Sequence, residues 1–318
     1  RVCSLVGWLA GQFAGRPPVT DPTLAASWGI YNAAAGRWNE AFVERLGLDA
    51  GLLPPVRPSG ERLGGLAPAA ARETGLPVGL PVGNGLGDSQ AAFLGATRSV
   101  AIEDGATLEA DEMVFVNLGT GGQVCWVAPE FVPPDGPIET RPLPAWDLPE
   151  PVEGQFLRMG ASLCGGAAYA WLNHTVRAWL AEFGIEADEE TVYARLDALA
   201  GEGTGQKSGL RVRTTFLGVR GDPAMDGGAI EGITPDNLRL GALARATVAG
   251  MVEELYGLYR IPGGGGREHR VLVAAGGGVR KNPFVPDLLA ERFGLPVRQP
   301  AEQEIGAMGA ALLAARAG

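Results

Sequence analysis

Three times in this chain a short apolar run ends in a glycine-rich turn, and this repetition limits the fold more than any other feature. Phe115-Val116-Asn117-Leu118 runs into Gly119-Thr120-Gly121-Gly122 and resumes as Val124-Cys125-Trp126. Val271 to Ala275 runs into Gly276-Gly277-Gly278 and continues to Asn282. Leu80-Pro81-Val82 leads through Gly83-Asn84-Gly85-Leu86-Gly87 to Asp88, where an apolar helical segment opens. Aliphatic and β-branched runs of this length read as strands. Glycines at their ends permit either a tight reversal or close approach of the backbone to a ligand.

Helical spacing and breakers fill in the remaining elements. Residues 4–15 read as a helix with Leu5, Trp8, Leu9 and Phe13 on one face. Thr20-Asp21-Pro22-Thr23 has the form of a cap followed by a proline in the first helical turn. Further helices are expected at 39–47, from Asp88 onward, 160–183, 188–200, 239–260 and 304–315, with short strands at 215–221 and 296–300. The acidic stretch at 97–113 reads as a domain boundary or surface excursion, and the proline-rich stretch 128–153 as irregular.

Composition excludes several classes. Acidic residues outnumber basic ones by 36 to 26, for a net charge of −10, so a non-specific nucleic-acid surface is not expected. No apolar run is long enough to span a bilayer, and no signal peptide is evident. Cys3, Cys125 and Cys164 form no CxxC pair, which argues against a disulfide framework or structural zinc and fits a reducing, cytoplasmic setting. With only His174 and His269, a histidine-based triad or metal cluster has little material. Trp8, Trp28 and Trp38 read as core or subunit-packing residues, which allows a homodimer. Cys125 and Cys164 read as small core residues, and Arg220 with Asp222 as a loop ion pair.

The turns carry the chemistry that the chain can offer. None is a GxxxxGK[ST] loop, and none is GxGxxG with an acidic residue at Rossmann spacing. Gly119–Gly122 can be a plain hairpin turn. It can also hold a phosphate on converging backbone N–H groups, with the Thr120 hydroxyl as a further donor. Gly276–Gly278 can be a flexible turn, or can admit a flat ring that Asn282 would hydrogen-bond. Asp88 can be a helix-capping carboxylate, or a general base that takes the proton of an attacking substrate hydroxyl.

In combination these segments resemble the FGGY family of carbohydrate kinases. The matching pieces run in family order: T-D-P-T-L-A-A-S-W through G-R-W-N (20–39), G-L-G-D-S-Q-A-A-F-L-G-A (85–96), N-L-G-T-G-G-Q (117–123), G-A-S-L-C-G-G (160–166), T-F-L-G-V-R (215–220), A-G-G-G-V-R-K-N-P (275–283) and E-I-G-A-M-G-A-A-L-L-A (304–314). The wording of the second and third is nearest the sedoheptulokinase-like branch.

The resemblance implies an α/β, actin-like ATPase (ribonuclease H-like) two-domain fold. Residues 1–108 would be the remainder of a sugar-binding N-terminal domain and 109–318 the nucleotide-binding domain. It implies ATP and Mg²⁺, with a sugar such as sedoheptulose as acceptor. Asp88 would be the general base, and Asp88 and Gln90 would face the sugar. Gly119, Thr120, Gly121, Gly160, Gly277, Gly278 and Asn282 would lie along the nucleotide. Two departures stand out: Gly121 replaces the usual serine, and the family's early D-x-G-T-(S/T)-x-(K/R) loop is absent. The chain is therefore expected to be either the C-terminal two-thirds of a sugar kinase, its first domain incomplete, or a binding module that has lost catalysis.

Overall fold

A computed structural model describes residues 2–103, 108–144, 155–202, 208–220, 227–261 and 268–317. The chain starts with α1 (Leu5–Ala14), which Ser4 caps by accepting from the Gly7 amide and which Gly15 ends in the left-handed conformation. Its buried face is Gly7, Ala10, Gly11 and Ala14, and not the face carrying Leu5, Trp8, Leu9 and Phe13. The reason is close backbone approach: a Cβ on Gly7 would lie 2.1 Å from the Val19 carbonyl oxygen. Trp8 is thus 47% exposed rather than in the core.

Small elements follow: α2 (Pro22–Ala25), the hairpin β1 (Tyr31–Asn32) and β2 (Arg37–Trp38), and α3 (Glu40–Arg45). Trp38 stacks obliquely on Trp28 at 5.4 Å and donates from Nε1 to the Pro54 carbonyl. The antiparallel pair β3 (Arg62–Gly65) and β4 (Pro81–Gly83) flanks α4 (Pro68–Thr74). The turn after β4 then delivers α5 (Asp88–Glu103). Because α5 runs on to residue 103, the first part of the 97–113 stretch is helical rather than a surface excursion.

The centre of the molecule is a six-stranded sheet. Its strands are β5 (Met113–Leu118), β6 (Gly122–Ala128), β7 (Ile138–Pro142), β8 (Phe156–Ser162), β11 (Val271–Ala275) and β12 (Val297–Arg298), with β9 (Arg211–Arg213) and β10 (Ala229–Glu231) forming a separate pair. The order is β12-β11-β5-β6-β8-β7. The first three strands are mutually parallel and the rest antiparallel.

The helices α6 (Gly166–Glu182), α7 (Glu189–Glu202), α8 (Leu240–Tyr259), α9 (Gly277–Lys281), α10 (Val285–Phe293) and α11 (Ile305–Ala314) complete the chain. Strand alternation divides the core between the two faces. Val114, Val116 and Leu118 meet Leu172, Leu196 and Leu255 on one side. Met113 and Phe115 meet Phe93, Val100 and Ile305 on the other. Two glycines let α5 and α11 cross closely: a Cβ on Gly95 would lie 2.0 Å from the Ile305 carbonyl oxygen, and one on Gly309 would lie 1.9 Å from that of Ala91.

Three expectations are corrected here. Residues 156–162 are strand, so the helix expected from 160 begins only at Gly166. The strand expected at 215–221 lies earlier, at 211–213, and residues 216–217 form a turn. The proline-rich 128–153 stretch contains β7, while its residues from 145 lie outside the described set.

Candidate functional site

Both parallel neighbours β5 and β11 end in their glycine turns at the same edge of the sheet, with Asn117 opposite Ala275. Ligands in open α/β sheets lie outside such carboxyl ends. The turns touch: a Cβ on Gly276 (φ +99°) would lie 2.5 Å from the Leu118 carbonyl oxygen, and one on Gly278 2.9 Å from it. Gly277 has open space at that position.

The turn after β5 is a hairpin, since Leu118 pairs with Gly122. It is also tied to the start of α6. The Gly166 amide donates to the Gly119 carbonyl at 2.8 Å, and the Ala167 amide to the Thr120 carbonyl at 3.0 Å. In a trans peptide the N–H of the following residue points opposite to the carbonyl, and no peptide bond here is cis. Two carbonyls turned onto α6 therefore turn the Thr120 and Gly121 amides away from it. Among the described residues no backbone carbonyl accepts from either amide, and Gly119 and Thr120 are exposed.

The docking of α6 depends on Gly165 and Gly166, the end of the G-A-S-L-C-G-G segment, which were not among the expected site residues. A Cβ on Gly165 would lie 2.4 Å from the Gly121 carbonyl carbon, and one on Gly166 2.7 Å from the Gly119 carbonyl oxygen. The signal was the Gly165-Gly166 pair ahead of an apolar helix. Gly160, which had been expected along the nucleotide, sits inside β8 between Val124 and Ile138. It is covered by α8, and a Cβ there would lie 2.9 Å from that of Leu258.

Asn282 is brought near α6 but is buried, and its Oδ1 accepts from the Phe284 amide at 3.0 Å. Tyr169 donates to Asp197 at 2.7 Å and stacks on Tyr193 at 5.8 Å. Burial and the Asp197 carboxylate raise the Tyr169 phenol above its ordinary range. Burial also raises the Asp197 carboxyl.

Asp88 is the first residue of α5 and is exposed. Its Oδ1 accepts from the Ser89 amide at 2.8 Å, and a carboxylate in a first helical turn is favoured by the helix dipole. Gln90 is buried and donates to the Pro142 carbonyl at 3.3 Å. Among the described residues Asp88 makes no hydrogen bond to the glycine turns; what joins them is α5, which lays Phe93 edge-on to Phe115 of β5 at 6.2 Å. Cys125 and Cys164 are buried, as expected, and desolvation pushes the Cys125 thiol up to about 12. Arg220 pairs with Glu139 at 3.2 Å, and Asp222 lies outside the described residues.

A mixed sheet flanked by helices, with paired glycine turns at its carboxyl edge, is the arrangement of the actin-like ATPase fold. The chain belongs to the FGGY family of carbohydrate kinases: the family's C-terminal domain matches residues 114–318 and its N-terminal domain residues 4–95. Sedoheptulokinase from Mus musculus is 28% identical over 300 residues, which are 91% of this chain and 57% of that protein. Glycerol kinase from Thermus brockianus is 30% identical over 315 residues, 96% of this chain and 56% of that one. The crystal structure of xylulose kinase from Rhodospirillum rubrum superposes with a TM-score of 0.79 at 25% identity, covering 98% of this chain and 58% of that one. The chain thus spans about six-tenths of the length of the relatives it matches. Among the described residues, no helix is long and apolar enough to cross a membrane.

Proposed function

We propose that the complete gene product transfers the terminal phosphoryl group of ATP to a hydroxyl of a small sugar, with a ketose such as sedoheptulose as the first candidate. The observation that carries this reading is the pair of outward amides at Thr120 and Gly121, unclaimed by backbone and set beside the second glycine turn. Such amides, with the Thr120 hydroxyl, suit phosphate oxygens. The missing side chains at Gly119 and Gly277 leave room for the nucleotide to approach.

In this reading Asp88 accepts the proton of the attacking hydroxyl. That oxygen bonds to the γ-phosphorus as the bond from the phosphorus to the β,γ-bridging oxygen breaks, and ADP leaves. Mg²⁺ would accompany the phosphates. Among the described residues no three His, Cys, Asp or Glu side chains converge to hold a metal, so no protein cage is assigned to it and no step is routed through it. Gln90 would meet the sugar from the same helical turn as Asp88. Asn282 would brace the wall near the nucleoside, since it is buried and its Oδ1 accepts from the Phe284 amide.

The test is ADP release by the complete gene product over sedoheptulose, xylulose, ribulose, glycerol and gluconate. Turnover with one of them, falling about 10²–10⁴-fold in Asp88→Asn, is the expected result. No turnover with any, or an Asp88→Asn variant as fast as the parent, overturns the reading. ATP binding by calorimetry without turnover would leave a nucleotide-binding module in its place.

A further inference from the structure

The turn that presents Asp88 is held by a buried polar network from residues far away in the chain. Asp21 is fully buried. Its Oδ2 accepts from the Thr23 amide at 2.9 Å, the Thr23 hydroxyl at 2.6 Å and the Ser59 hydroxyl at 2.6 Å, and its Oδ1 from the Leu24 amide at 3.2 Å. Helix capping needs only the two amides. The two hydroxyls are additional, and the Thr23 hydroxyl reaches further: it accepts from the Gly87 amide at 2.7 Å, across 64 residues.

A hydroxyl has one proton to give. An ionised Asp21 can only accept, so it takes the Thr23 proton and leaves the Thr23 lone pairs facing Gly87. The carboxylate therefore fixes the direction of the bond that holds the residue next to Asp88. Position 87 is closely packed: a Cβ there would lie 3.3 Å from Thr23 Oγ1 and 2.6 Å from Gln90 Oε1, so a side chain would have to displace Gln90. The other end of the turn is fastened separately: Asn84 donates to the carbonyls of Thr20, Arg57 and Pro58.

We propose that Asp21 and Thr23 are positioning residues that set the height and angle of Asp88 through the Gly87 amide. This rests on the reading of Asp88 as general base. Neither residue touches substrate in this proposal; each acts through the backbone of one turn.

Thr23→Val keeps the shape and removes the acceptor. In the complete gene product it is expected to lower kcat about 10- to 100-fold, the scale of a small misplacement of a reacting group, with KM for ATP within about 2-fold of the parent. Thr23→Ser is expected to restore kcat to within about 3-fold, and Asp21→Asn to lose as much as Thr23→Val because its amide no longer fixes the hydroxyl. Hydrogen exchange of the peptide spanning residues 84–90 is expected to speed at least about 10-fold in Thr23→Val. Ser59→Ala, which leaves the Gly87 bond in place, should fall between parent and Thr23→Val, and it carries the test if the valine variant does not fold.

A folded Thr23→Val with parental kcat, a matching rise in KM for ATP, or no recovery in Thr23→Ser overturns the proposal. If the parent shows no turnover, the reading of Asp88 fails on its own. The exchange of residues 84–90 still decides the coupling, and unchanged exchange in Thr23→Val refutes it.

Discussion

Around the six-stranded sheet Leu118, Leu172, Leu196, Leu255 and Leu272 are wholly buried, whereas along residues 2–83 Leu5, Trp8, Leu9, Phe13 and Leu46 lie open to solvent. The first region is held by a continuous apolar core on both faces of one sheet. In the second, two-stranded pairs and short helices are fastened by individual polar side chains reaching for backbone: Asp21, Asn84 and the indole of Trp38. Burial is non-directional and forgiving of small shifts; hydrogen bonds are directional and costly to orphan. The sheet region can thus serve as a rigid frame, while the N-terminal region fixes the position of one turn.

The contrast predicts an order of sensitivities. Leu272→Ala, at the centre of the parallel strands, is expected to lower stability by about 3 kcal/mol in denaturant unfolding. Asn84→Ala is expected to cost about 2 kcal/mol, because one buried carboxamide's hydrogen bonds to the Thr20, Arg57 and Pro58 carbonyls are lost together. A cost below about 0.5 kcal/mol, the range of an ordinary surface change, would break the account of the N-terminal region. Equal costs for both would blur the comparison into a matter of burial alone.

The smallest expected effect concerns pH and sits at the opposite edge of the sheet. Desolvation lowers the His269 pKa below its ordinary 6.5, against the opposing pull of Asp111. The unfolded chain then binds the proton more readily than the folded one. The residue's contribution is complete above 6.5 and is lost as pH falls through that value toward the depressed one. His269 also bonds through Nδ1 to the Tyr259 hydroxyl at 2.8 Å. Thermal unfolding of His269→Gln should therefore fall less than that of the parent between about pH 7.5 and about pH 5. Identical slopes would remove His269 from the core's pH response.

Legibility in the sequence followed the physics of each segment. The long helix at 240–259, the β5–β6 hairpin and the strand–glycine–helix unit at 271–281 declared themselves, because period and breakers agreed there. β8 did not: it lies between β6 and β7 with both faces covered, so its residues give no alternation to separate strand from buried helix. The helix expected from 160 was therefore begun six residues too early. The face that α1 buries was misread because glycine contact, not apolar side chains, determines it. The Asp21–Thr23–Gly87 link was out of reach of any local pattern, since its partners are 64 residues apart.

The glycine crossing of α5 and α11 has a consequence for biosynthesis. The helix that begins at Asp88 seats its middle against the chain's last described helix, and Ser99 bonds to Glu302 across 203 residues. At roughly 5–20 residues per second, a nascent chain makes α5 many seconds before α11 exists. Until translation supplies that partner, the Ala91–Gly95 surface of α5 has nothing to close on. A ribosome-bound chain stopped before residue 305 would therefore already hold the Asp88 turn through Thr23 and Asn84, while the face of α5 that meets α11 is still uncovered.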